Sequence, residues 1–131
     1  MTWIELFAAL IVAHLVGDFL LQTEAQACAK AGGMGRNPVA RRALGAHILS
    51  YGVAMAAPLA WVAVDQGIGV ALIGAAVILV PHAIQDDRRL IAAYARHVKR
   101  TDPESEPLVM FGLDQSLHIV ALFGTALLLT A

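Results

Sequence analysis

Three times along this chain a histidine and an aspartate stand four residues apart: His14 and Asp18, His82 and Asp86, Asp114 and His118. In an α-helix, residues at i and i+4 share a face one turn apart, so each pair presents an imidazole and a carboxylate to the same space. His47 stands alone in an apolar run. Imidazole and carboxylate are the ligands of zinc, manganese and non-haem iron. Bundle metal sites are assembled from such groups on different helices. The candidate ligands are therefore His14, Asp18, His47, His82, Asp86, Asp114 and His118, and the expected cofactor is a divalent metal: zinc first, then manganese or iron. Three carboxylates exceed what one structural zinc requires, which leaves room for two metals or for one metal and a general base. Asp18 is assigned the catalytic role, because Gly17 leaves room beside it for a substrate group. Gln22, Gln85 and Gln115 are expected to orient the ligands from outside. A proton relay would use the same residues. So would plain interhelical hydrogen bonding, worth about 0.6 kcal/mol a bond.

Four apolar stretches carry these residues, at about 3–22, 43–64, 67–85 and 108–131. Each approaches the roughly 20 residues that cross a bilayer core as a helix. Hydrophobic residues make up 59% of the 131 and charged residues 15%, where soluble domains carry about 25% charged. A greasy soluble bundle is the competing reading. It founders on Asp65-Gln66, the whole polar link between the second and third stretches. The fold expected is all-α, one domain over residues 1–131: an integral membrane bundle of four transmembrane helices. Residues 1–21 read as a retained span rather than a signal peptide, since they lack a basic start and contain His14 and Asp18.

All nine Lys and Arg residues lie between the first and second stretches or between the third and fourth. The positive-inside rule assigns both segments to the cytoplasm and both termini to the outside, with Trp3 and Trp61 at the outer interface. In all three pairs the aspartate then lies nearer the cytoplasm and the histidine one turn deeper. Counted from the flanking arginines, His47 and His82 lie roughly 8–9 Å deep; His14 and His118 lie roughly 12–18 Å from their helix ends, a spread that predicts a pocket open to the cytoplasm. Residues 24–37, with Gly32, Gly33 and Gly35, read as a flexible connection. Residues 87–100 read as a short amphipathic interfacial helix with Leu90, Ile91, Tyr94 and Val98 on one face. Asp87 is expected to face the basic surface. Glu5 and His97 fall outside the cluster, and Tyr51 reads as packing. Cys28 has no partner for an intrachain disulfide.

The run His14-Leu-Val-Gly-Asp18-Phe-Leu-Leu-Gln22, an isolated His47, His82-x-x-x-Asp86 and Asp114-Gln115-x-x-His118 resembles the small bacterial membrane proteins catalogued as domain of unknown function 3307. That resemblance spans the chain and implies a multi-pass protein of the bacterial inner (cytoplasmic) membrane, without an established activity. The function expected is an inner-membrane metalloprotein with a His/Asp site opening to the cytoplasm, acting as a metal-dependent hydrolase on a lipid-linked or amphiphilic substrate. A metal-ion or proton transporter and a non-catalytic scaffold are the alternatives. The expected partners are membrane lipid and a lipid-linked substrate, with self-association left open and no nucleic acid.

Overall fold

The computed structural model describes residues 1–131, and they form helices joined by short turns, without a strand. The first helix, α1, spans Trp3–Leu15 and opens on a capping box in which Thr2 and Glu5 satisfy each other's backbone N–H. It runs on into a wider π-helical turn, Val16–Leu21, closed by Gln22 N donating to the Gly17 carbonyl at 3.1 Å. A six-residue helix, α2 (Glu24–Ala29), follows, capped by Thr23 and Gln26 in the same reciprocal way. The longest helix, α3, covers Pro38–Gln66, and α4 covers Ile68–Asp86. Arg88, at φ 64°, turns the chain into α5 (Arg89–Tyr94), which continues as a π-helical turn over Ala95–Lys99. The last helix, α6, is Pro107–Leu129.

Four of these helices are long and apolar enough to cross a membrane: α1 with its π-turn, α3, α4 and α6. They pack as a ring in which α1 touches α3 and α6, and α4 touches α3 and α6. Each neighbour runs the opposite way. The N-terminal ammonium lies 3.5 Å from Asp65 at the end of α3, Trp3 packs edge-on against Phe123, and Gly74 near the start of α4 meets Leu129 at the end of α6. Both termini therefore share one end of the bundle with the α3–α4 turn. Pro58 and Pro81 are accommodated inside α3 and α4.

Burial is inverted relative to a soluble bundle. His14, His47, His82, Asp86 and His118 are all at most 2% exposed, whereas Leu20, Leu49, Val53, Val64, Leu108 and Val120 stand open on the outside. Water would drive those leucines and valines inward; a hydrocarbon solvent does not. Near the termini the interior is apolar, built from Leu6, Leu10, Met55, Val62, Ala71, Ala126 and Leu129. The histidines and aspartates fill the other half.

Two expectations need correcting. The helix α3 starts five residues before position 43, because Asn37 caps it through Oδ1 to the N–H groups of Val39 and Ala40, and Pro38 suits the first turn. Residues 24–37 are not a loose connection. After α2 the chain forms a turn held against the end of α4: Gly32 N donates to the Asp87 carbonyl at 2.9 Å and Met34 N to Asp87 Oδ1 at 2.7 Å. Gly33 serves contact rather than flexibility, since a Cβ there would stand 2.6 Å from that of Leu44. Asp87 does meet the basic surface through Arg89 at 3.4 Å, but it is buried beneath this strap.

Candidate metal centre

The seven candidate ligands come from all four long helices and converge. The His82 ring centroid is 4.6 Å from that of His118, 5.2 Å from His47 and 6.1 Å from His14, while His14 stacks on His118 at 5.2 Å. The four rings thus adjoin in one cluster.

At the centre, His47 Nε2 and His82 Nε2 face each other at 3.1 Å. Asp86 Oδ2 lies 2.8 Å from the first and 3.2 Å from the second. Asp18 Oδ1 lies 3.3 and 3.5 Å from the same two nitrogens. Neither oxygen receives a hydrogen bond of good direction, despite these short separations. Ligands held about 2.0–2.1 Å from a tetrahedral zinc stand about 3.3 Å apart, so the His47–His82–Asp86 triangle has the size of one coordination face. Three sets of ligand atoms are close enough to hold a metal ion: His14, Asp18 and His82; His47, His82 and Asp86; and Asp86, Asp114 and His118.

Ring protonation sorts the histidines. His118 Nδ1 donates to the Asp114 carbonyl at 2.8 Å, so its Nε2 is left as a lone pair, buried and without a hydrogen-bond partner, 3.9 Å from Asp86 Oδ1. That arrangement, one ring nitrogen donating to a carbonyl and the other bare, is how metal-binding histidines are oriented. His14 differs. Gln115 Nε2 donates to Asp114 Oδ2 at 3.2 Å, which turns its Oε1 toward His14 Nε2, also at 3.2 Å. His14 Nε2 must then carry the proton, and Nδ1 accepts from the Tyr51 hydroxyl at 3.2 Å.

Of the three glutamines, only Gln115 orients a member of the cluster. Gln85 donates instead to the Leu117 carbonyl at 3.2 Å, and Gln22 Nε2 is buried without a partner. Gly17 permits close approach but leaves no room for substrate: a Cβ there would lie 2.5 Å from Tyr51 Cδ2. The space assigned to substrate beside Asp18 is filled by that ring.

Two residues enter the site unannounced by the motifs. Tyr51 is wholly buried and stacks on His82 with centroids 3.5 Å apart. Its signal is its spacing from His47, a fourth i, i+4 pair on the one span without a His–Asp pair. Lys30, 5% exposed, is carried in by the strap and places Nζ 2.7 Å from Asp86 Oδ1. No local pattern marks it.

The family described as protein of unknown function, DUF3307, matches residues 6–130, nearly the whole chain and every residue of this cluster. The chain belongs to that family. Comparison with curated proteins and with solved structures finds no match to either. What this DUF3307 chain does must therefore be argued from its own geometry. Beside the cluster, a cavity of about 360 Å³ opens between α5 and α6, and Asp114 forms part of its wall together with Arg88, Ile91, Pro107, Met110 and Phe111.

Proposed function

We propose that this chain is a metalloprotein of the bacterial inner membrane that hydrolyses a lipid-linked phosphoester or a similar amphiphile at the cytoplasmic face. The metal reading is carried by acceptor atoms that crowd together without a well-directed hydrogen bond: Asp18 Oδ1, Asp86 Oδ2, Asp114 Oδ1 and His118 Nε2 are all buried. Buried acceptors left this way destabilise a fold by about 1–3 kcal/mol each, and a cation would satisfy several at once. A divalent ion held by His47, His82 and Asp86, with Asp18 beside them, would polarise a substrate oxygen and lower the pKa of water.

The chain's own groups do the rest. Asp114 is the carboxylate that meets both the cluster and the cavity, so it takes the general-base role in place of Asp18, which is enclosed by three histidines. Gln115 fixes one oxygen of Asp114 and leaves the other free of hydrogen bonds. Arg88 at the cavity suits an anionic headgroup, and Ile91, Met110 and Phe111 suit an acyl or polyprenyl chain. Transport fits less well, because the apolar half built on Leu6, Leu10, Met55 and Val62 offers no polar path onward.

The test is phosphate or headgroup release from a bacterial lipid extract by zinc- or manganese-loaded protein. Release should stop on chelation. Asp114→Asn should keep the metal and lose about 10²–10⁴-fold in rate, the usual contribution of a general base. Turnover indifferent to chelator would take the metal out of the reaction.

A further inference from the structure

We propose that Lys30 is a resident cation of the site: its ammonium occupies the Asp86 oxygen that a second metal ion would need, limiting the cluster to one metal and leaving Asp114 free. The inference rests on the metal reading above. Asp86 belongs to two of the three ligand groups, with His47 and His82 on one side and with Asp114 and His118 on the other. A carboxylate shared in this way is how paired ions about 3.5–4 Å apart are commonly bridged. Here the two oxygens are divided between different cations. Oδ2 faces the His47 and His82 nitrogens, whereas Oδ1 receives Lys30 Nζ at 2.7 Å and has His118 Nε2 at 3.9 Å.

An ammonium has donors only, so it can neutralise Asp86 but cannot join Asp114 and His118 as ligands around a shared ion. Like charge beside it disfavours a divalent ion on the Asp114 side. The charge balance agrees. One divalent ion and one ammonium offset Asp18, Asp86 and Asp114, while two divalent ions and the ammonium would leave two positive charges uncompensated in a low-dielectric interior. Lys30 is held there from outside the bundle: the strap that bears it is pinned to Asp87 through Gly32 N and Met34 N, and Gly33 is seated against Leu44. That anchoring gives the first basic segment a role beyond setting orientation.

The experiment counts ions. Wild-type protein saturated with Zn(II) and desalted should hold one ion per chain by elemental analysis, and Mn(II) in its place should give the paramagnetic resonance spectrum of an isolated ion. Lys30→Met should raise the count from one to two, with manganese showing exchange coupling across Asp86. Adding Asp114→Asn to that variant should return it to one. Lys30→Leu, which removes charge and donor alike, is the companion should the methionine variant not fold. Folded Lys30 variants that stay at one ion would overturn the inference and leave the metal reading intact. Two coupled ions in wild-type protein would overturn it as well. Wild-type protein that binds no metal would remove both.

Discussion

His14 has protein partners on both ring nitrogens, whereas His118 has one nitrogen bare and His47 and His82 share a single short N–N contact. The same residue type thus divides between orientation and ligation according to what surrounds it. Tyr51 holds His14 through its hydroxyl and supports His82 through its ring face. Tyr51→Phe should keep the stack, keep the metal count and lose about 1–3 kcal/mol of stability, because it leaves His14 Nδ1 buried and unpaired. Thermal unfolding with parallel elemental analysis reads both. A loss of metal would instead make Tyr51 part of the ligand system. At this scale the sequence was informative wherever chemistry is local. The i, i+4 pairs announced the aspartates and histidines, but which oxygen meets which nitrogen depends on helix rotation, which spacing does not reveal.

Among the elements, the π-turn of Val16–Leu21 governs Asp18. Its wider hydrogen-bonding shifts the register of the helix where it meets Tyr51, and Gly17 lets the two backbones close. Gly17→Ala should cost about 1–3 kcal/mol through overpacking and weaken metal retention, as Asp18 is displaced with its turn. Equilibrium unfolding and a competitive chelator titration measure the two effects. An unchanged chelator midpoint would show that Asp18 is not among the ligands. The strap before α3 is where sequence reading failed most. Three glycines in four residues look flexible, yet Gly33 is small because Leu44 is close, and Lys30 reaches Asp86 across 56 positions. Long-range packing of that kind has no local signature. The amphipathic helix was foreseen, but its face divides: Ile91 and Ala95 are buried in the protein, while Leu90, Tyr94 and Val98 remain exposed. That exposed stripe suits the headgroup region of a bilayer.

For the whole molecule, hydropathy was enough to read four membrane-length helices, because lipid requires every backbone group to be satisfied within each span. The common end shared by both termini and the α3–α4 turn follows from antiparallel packing. Which side of the membrane that end faces is a prediction from charge. In a Cys28→Ser background, Asp65→Cys should react with an impermeant maleimide added outside, and Lys99→Cys only after the membrane is opened. The reverse pattern would turn the His/Asp half of the bundle away from the cytoplasm.

The central claim is that the unsatisfied oxygens of Asp18 and Asp86 meet His47 and His82 in order to hold a cation. Metal content per chain, measured on wild-type and His82→Ala protein purified alike and followed by thermal unfolding with and without added zinc, tests it most directly. His82 touches both Asp18 and Asp86 and faces His47. The wild type should retain about one divalent ion and gain stability with zinc by linkage, and His82→Ala should lose both the ion and the response. Wild-type protein free of metal, with a melting temperature that zinc does not move, would contradict the account and leave the cluster as hydrogen-bonded packing between helices.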